Sequence, residues 1–487
     1  MSAQQLDMNA ATTIAATVDT ARALFNTGAS KPLSWRLKQL KALNQMLLDH
    51  REDFLAALAA DLGKHPAEAW LTEIGFLTAE IAHTLKHLDQ WLAPRKAAVP
   101  LALQPAKAST VLDPLGVVLV IAPWNYPLQL LLAPVIGALA AGNVVVAKPS
   151  ELAPASSAAL ARWVPHYLAG AVSIVEGAVP ETTALLEQRF DHIFYTGNGR
   201  VGRIVMAAAA KHLAPVTLEL GGKSPVFIDE TVDIRAAAAR LAWGKFMNAG
   251  QTCVAPDYVL GTDAALAKLA DELPAAIHAL YGQDPEHSLD YGRMVDDAAY
   301  ARVTALLAED LKDDVGSALV SGGGSDAATR YIEPTVIHVD AHAALMDAEI
   351  FGPVLPLVTV ASTREAIDFI NGRDKPLSLY VFSEDQGVRD AFTKETSSGA
   401  LTFGVPVAHL SVPGLPFGGV GESGMGNYHG RHSIDTFSHH KAVLEKALAP
   451  DTLSLIYPPF GKVKHQIIKR FVAPARKFRQ NTATPDA

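Results

Sequence analysis

Cysteine is almost missing from this chain, since Cys253 is the only one in 487 residues. One thiol excludes an intramolecular disulfide and a metal site built on paired thiolates, which leaves a packing role or a reactive sulfur. An excess of positive charge is missing too: 41 Lys and Arg stand against 50 Asp and Glu, a net charge of -9, so nucleic acid is not an expected partner. No basic stretch followed by an apolar run opens the sequence, and no export signal is expected. A lone cysteine also suits a reducing compartment. Apolar runs are short; Leu128 to Gly142 is interrupted by Pro134 and cannot span a bilayer. The expectation is a cytoplasmic protein with no transmembrane anchor and no metal site.

What is present is ordinary globular material, 49% hydrophobic and 19% charged, in a length that predicts two or three domains. Between Ser34 and Leu62 the spacing of Leu37, Leu40, Leu43, Leu47 and Leu48 predicts one amphipathic helix, with more helices as far as Trp91. Four prolines between Pro94 and Pro114 predict extended chain or a hairpin, a possible protruding arm. A βα alternation follows. Strands are expected at Val117–Ile121, Val144–Ala147, Val172–Glu176, His192–Tyr195 and Val216–Leu220. Helices are expected at Leu128–Ala141, Ala155–Leu168 and Val201–Leu213. Such an alternation implies a parallel sheet covered on both faces, with nucleotide binding at the strands' carboxyl ends. A second βα region starts at Pro225 and carries Cys253. Glycine is frequent from Gly414 to Gly430, read as loops lining a site or a junction. The stretch from Lys462 to Arg479 has seven basic residues and no acidic one.

Each chemical motif admits two readings when taken alone. Gly197-Asn-Gly-Arg-Val-Gly202 has the spelling and context of a dinucleotide fingerprint, or is a tight turn. Glu219, 17 residues after Gly202, would then be assigned to a ribose by the usual spacing. Lys148-Pro-Ser-Glu151 follows a strand, where lysine and carboxylate could meet a ribose or simply form a solvated turn. Pro123-Trp-Asn-Tyr-Pro127 is a stiff loop that could hold the Asn125 amide toward a developing oxyanion, or use it to satisfy the loop backbone. Glu219 and Glu349 each precede glycine at a strand end or loop, positions that are more often junctions than sites.

Taken together, the motifs resemble the aldehyde dehydrogenase superfamily over nearly the whole chain, from about Leu33 to Pro459. Pro-Trp-Asn-Tyr-Pro, Lys-Pro-Ser-Glu, the glycine turn, Leu-Glu-Leu-Gly-Gly-Lys, Gly-Gln-Thr-Cys and Glu-Ile-Phe-Gly-Pro occur in that family's order. Cys-Val-Ala-Pro-Asp-Tyr, Lys375-Pro-Leu-Ser-Leu-Tyr, Pro416-Phe-Gly-Gly-Val-Gly and Phe437-Ser-His-His-Lys are similar to its class 3 branch of fatty, aromatic and coniferyl aldehyde dehydrogenases. The resemblance implies an α/β fold with a Rossmann-like NAD(P)-binding domain (1–94 and 114–221) and an α/β catalytic domain (222–431). It also implies a small β oligomerisation arm (95–113 and 432–447) and a C-terminal tail (448–487).

Carried onto this sequence, the resemblance makes Cys253 the nucleophile. Asn125 and the Cys253 backbone N–H become the oxyanion donors, and Glu219 the activator of water rather than a ribose ligand. Lys148 and Glu151 would bind the adenosine ribose, and Glu349 and Phe351 the nicotinamide ribose and ring. Trp124, Gly197 and Gly202 would also meet the cofactor. The implied reaction oxidises an aldehyde, aromatic or medium- to long-chain, to the acid with NAD or NADP through a thiohemiacetal and a thioester. A homodimer is implied as well. Gly404 and Val405 stand where relatives usually carry Asn-Asp, which bears on substrate shape. The apolar tail of membrane-bound relatives is missing, and the basic tail is read as a solvated face sooner than a membrane contact. The rivals are a CoA-acylating enzyme, against which Glu219 argues, and a non-catalytic protein that kept the fold.

Overall fold

The computed structural model describes residues 3–100, 103–312 and 317–471. They fall into two units, residues 1–91 with 114–438 and residues 92–113 with 439–487.

The first unit holds two large sheets. One has six strands in the spatial order Gly424–Met425, Val216–Leu220, His192–Gly197, Val117–Ile121, Val144–Lys148, Val172–Ile174. The last five are parallel, and the short Gly424–Met425 edge runs antiparallel, so the sheet is mixed where an all-parallel one was expected. Val117–Ile121 and Val144–Lys148 are buried throughout, as β-branched strands covered on both faces must be. The chain starts at Val117–Ile121, moves outward through two strands, then returns to lay His192–Gly197 on the opposite side. That reversal leaves a crevice at the carboxyl ends between Val117–Ile121 and His192–Gly197, where α/β sheets bind ligands.

The second sheet has seven strands in the order Ala318–Ser321, Thr335–His338, Val354–Thr359, Tyr258–Gly261, Pro225–Ile228, Ser378–Phe382, Ala400–Phe403. All pairs are parallel except the Ala318–Ser321 edge. Only Gly221, Gly222, Lys223 and Ser224 separate the last long strand of the first sheet from the first strand of the second. The Glu-Leu-Gly-Gly-Lys motif is therefore the passage between the sheets.

Local differences from expectation have local causes. The helix expected from Ser34 to Leu62 is two, Leu33–Asp49 and Arg51–Leu62. At the break, His50 stacks on Trp163 at 3.4 Å and shares a 3.1 Å hydrogen bond with the Tyr167 hydroxyl. Contacts from a remote helix, which no local pattern encodes, divide it. The strand expected to end at Tyr195 continues to Gly197, so that glycine closes the strand and Asn198 caps the next helix through its side chain to Val201 N. Gln129–Ala141 is a helix despite Pro134, buried on every side and apolar on every side.

The second unit contains a three-stranded sheet of Arg95–Ala97, Lys107–Pro114 and Ser438–Glu445. The proline-rich stretch is thus extended, and Arg95–Ala97 pairs antiparallel with Lys107–Pro114. The basic tail begins as a helix, Lys462–Phe471, and its remainder lies outside the described residues. Among the described residues no helix is long and apolar enough to cross a membrane, and no cluster of three His, Cys, Asp or Glu could hold a metal.

Candidate active site

Cys253 sits on a loop that the sequence makes unusual. After the Ile234–Phe246 helix, Asn248, Ala249 and Gly250 take left-handed conformations in succession, with φ of 52°, 52° and 74°. Gly250 also lies against another backbone: a Cβ there would stand 2.3 Å from the Gly352 carbonyl oxygen. No other residue fits, and the contact seats the cysteine loop on the Glu349–Pro353 loop. Gln251 fills the interior of the turn. Its Nε2 donates to the Asn248 and Arg293 carbonyls at 3.0 and 2.9 Å, and its Oε1 accepts from Val295 N at 3.0 Å.

Asn125 meets this loop from the other side. Its Nδ2 donates to the Gln251 carbonyl at 2.9 Å, and since a carbonyl only accepts, the contact settles which end of the amide faces the cysteine loop. The side chain is 2% exposed, and its Oδ1 has no partner among the described protein atoms. One Nδ2 hydrogen is used by Gln251, and the second has no acceptor among the described residues.

Glu219 is 2% exposed on the Val216–Leu220 strand, and neither carboxylate oxygen has a hydrogen-bond partner among the described atoms. Burial pushes it well above the usual carboxylate range. Glu349 packs against Gly221, where a Cβ would clash with Oε2 at 2.1 Å, and burial followed by the Asp257 charge raises it to about 8. Its loop is pinned from beneath. Lys223 pairs with Asp257 at 2.5 Å and donates to the Leu345 and Ala348 carbonyls, Asp257 accepts from Ile350 N, and Arg302 donates to the Ile350 carbonyl. Phe351, with φ of 48°, meets Trp124 edge-to-face at 5.5 Å.

The Cys253 thiol is raised to about 12, first by burial and then by the charges of Glu349 and Glu219. Only about one part in 10⁵ is thiolate at pH 7 on that value. The ligand-free protein should therefore alkylate slowly. The rate with iodoacetamide is expected to climb about tenfold per pH unit from pH 7 to 10, without a plateau, because the thiolate fraction is still far from saturation. A plateau below pH 9 in a rate profile followed by mass spectrometry would contradict this.

Cys253 opens on a cavity of about 130 Å³ whose walls include Phe76, Tyr126, Trp243, Met247, Phe417 and Tyr428. The loop expected to shape the substrate site reaches this wall through Val407, Ala408, Leu410 and Ser411, whereas Gly404 and Val405 do not line it. Lys148 and Glu151 form a 2.6 Å ion pair at the carboxyl end of Val144–Lys148. Gly197 ends its strand at the crevice, and Gly202 lies inside the following helix, where a Cβ would stand 3.1 Å from Leu220 Cδ2; it serves close packing of helix on strand. Gln251, Asp257 and Lys223 have no role legible in local sequence, although all three stand within the motifs that carry the family resemblance. Lys64 and Glu73, which also reach the Asn125 loop, carried no signal at all.

The model of the aldehyde dehydrogenase family matches residues 3–443. The chain belongs to the aldehyde dehydrogenase family. Oxidation of an aldehyde to the carboxylic acid with NAD(P) is the activity of this enzyme. It is 46% identical to the dimeric NADP-preferring aldehyde dehydrogenase of Canis lupus familiaris over 449 residues, covering 92% of this chain and 98% of that one. It is 45% identical to aldehyde dehydrogenase family 3 member A2 of Rattus norvegicus over 454 residues, covering 93% and 92%. Among solved structures, the substrate-bound state of Staphylococcus aureus AldH superposes with a TM-score of 0.90 at 43% identity, covering 94% of this chain and 98% of that one. An NAD+ complex of indole-3-acetaldehyde dehydrogenase matches at a TM-score of 0.81 and 25% identity, over 90% and 89%. In an aldehyde dehydrogenase the crevice and the cavity have a cofactor and an aldehyde to account for.

Proposed function

We propose that Cys253 is the nucleophile that attacks the aldehyde carbon, with Asn125 Nδ2 and the Cys253 backbone N–H stabilising the oxyanion. Glu219 is the base that later activates water against the thioester. The observation that carries this reading is convergence at one thiol: Asn125, Glu219 and Glu349 come from three distant segments, and each reaches the Cys253 loop or its charge. A buried carboxyl with two unpartnered oxygens suits a group that must hold and release a proton beside a water or substrate.

The residues present fit NAD(P). Lys148 and Glu151 would hold the adenosine ribose at a strand's carboxyl end, Glu349 the nicotinamide ribose, and Phe351 and Trp124 the ring. The Gly197–Gly202 segment brings the start of a helix to the crevice mouth. Bound NAD(P) supplies the two-electron acceptor. The chain supplies the rest: Cys253 sulfur forms the bond to carbon as the C=O π pair moves onto oxygen, Asn125 Nδ2 donates a hydrogen bond to that oxyanion, and the apolar cavity wall excludes bulk water apart from the one molecule that Glu219 deprotonates for attack on the thioester. Residues 1–94 with 114–221 would serve cofactor binding and 222–431 catalysis. The strands of 95–113 and 432–447 would serve a homodimer, a role supported by the exposed Arg95–Ala97 edge.

The aromatic and aliphatic wall supports an aromatic or a medium- to long-chain aliphatic aldehyde, and Leu71, 60% exposed, extends the apolar lining outward. The test is the initial rate of NAD and NADP reduction with short and long aliphatic aldehydes, benzaldehyde and cinnamaldehyde. Preference for the apolar substrates without CoA supports the reading; turnover only with CoA supports the acylating alternative. Cofactor choice has its own test. Glu151 would accept from a free 2′-hydroxyl and repel a 2′-phosphate, so Glu151→Gln should move the kcat/KM ratio toward NADP by about tenfold. An unchanged ratio would place the ribose elsewhere.

A further inference from the structure

One short helical stretch reaches both the Asn125 loop and the Asn248–Cys253 loop. Pro66–Ala69 continues into a π-helical turn, Trp70–Ile74, before the long helix from Gly75. The turn depends on Gly75, where a Cβ would stand 2.7 Å from the Trp70 carbonyl oxygen. Widening the helix by one residue shifts its phase, and such turns recur at functional sites. Here Glu73 meets Lys64 at 2.6 Å, both side chains 0% exposed.

The pair grips both ends of one loop. Lys64 Nζ donates to the Asn125 carbonyl at 2.9 Å and lies 3.9 Å from the Tyr126 ring centroid. Glu73 Oε2 accepts from Leu128 N at 2.9 Å and Gln129 N at 3.2 Å. No local side chain caps the Gln129–Ala141 helix, so Glu73 caps it from 55 residues away, where the helix dipole favours a carboxylate. Asn248 Nδ2 also donates to the Asn125 carbonyl at 2.9 Å, and Glu68 accepts from Asn248 N at 3.1 Å. Tyr126, in turn, shares a 2.6 Å hydrogen bond with Thr252. A buried ion pair contributes little net stability as a rule, whereas it can impose a unique arrangement.

We propose that Lys64 and Glu73 are positioning residues that clamp the 125–129 loop and thereby aim the second Nδ2 hydrogen of Asn125 at the oxyanion. The proposal rests on the reading of Cys253 and Asn125 given above. Misaiming a donor without deleting it should cost part of what deletion costs.

The experiment is a double-mutant cycle on the full chain with saturating NAD(P) and a turned-over aldehyde. It measures the single-turnover rate of cofactor reduction per titrated Cys253, together with cofactor affinity by tryptophan fluorescence. Lys64→Met and Glu73→Gln should each lower that rate roughly 10- to 100-fold with cofactor affinity within about twofold. In an Asn125→Ala background, Lys64→Met should cost no more than about a further twofold, since the group it aims is gone. An unchanged rate per active site, or equal losses in both backgrounds, overturns the clamp. Should Lys64→Met fail to fold because Glu73 is left charged, Lys64→Met/Glu73→Leu removes both charges and is judged by the same cycle. If Asn125→Ala alone leaves the rate intact, the oxyanion assignment fails. If Asn125→Ala is slow while the Lys64 variants are normal, only the clamp fails.

Discussion

Cys253→Ser is expected to lower kcat by about four to six orders of magnitude while NAD(P) binding stays within twofold. Serine preserves the size of the side chain and the backbone N–H, so the cavity and the Gln251 framework survive. What changes is chemistry. An alkoxide is far harder to form than a thiolate, and among the described residues no side chain gives residue 253 a hydrogen-bonded base; its thiol is already raised to about 12 by burial and by Glu349 and Glu219. The alkoxide is also a poor leaving group from the intermediate that water forms at the last step. Steady-state formation of reduced cofactor, with fluorescence titration of NAD(P) on the same preparation, checks both halves. A kcat within tenfold of the parent would remove Cys253 from the mechanism.

Glu219→Gln should separate the two halves of the reaction. Glutamine keeps the shape and cannot take a proton, so one equivalent of reduced cofactor per site should form at close to the parental single-turnover rate. Steady-state kcat should fall by about 10²- to 10⁴-fold, with acyl-enzyme accumulating on Cys253 and visible by mass spectrometry. The pH profile provides the sign. Burial raises Glu219, so its basic form is scarce at low pH and grows as pH rises through the raised value. Deacylation in the parent should accelerate with pH over that range, and the variant should lose that dependence. An unaffected steady rate would leave water activation to another group.

Much of this site can be read from local spelling, because the chemistry sits where regular structure stops. Glu219 and Gly197 lie at or beside the ends of β-branched strands, and the Pro123 to Pro127 loop is stiffened by its prolines. The three left-handed residues before Gln251 need a glycine among them. The resemblance added order, since isolated motifs such as Lys148-Pro-Ser-Glu151 read equally well as turns. Spelling was less informative wherever a partner lies far off in sequence. The helix expected from Ser34 to Leu62 is divided by Trp163 and Tyr167. The glycine-rich stretch after Gly414, expected as loops, supplies an antiparallel edge strand beside Glu219.

By itself, then, the sequence determined the family, the run of strands and helices, the passage between the sheets and the residue types able to do the chemistry. These follow from short-range patterns: two- and 3.6-residue periodicity, turn residues and motif order. Only the tertiary structure decided that Gln251 orients the Asn125 amide, that burial raises Cys253 and Glu219, and that Lys64 and Glu73 tie down a loop about 55 to 61 residues away. The reason is physical. Burial and charge act through space, and the groups that exert them are brought together by packing, which no spacing along the chain records.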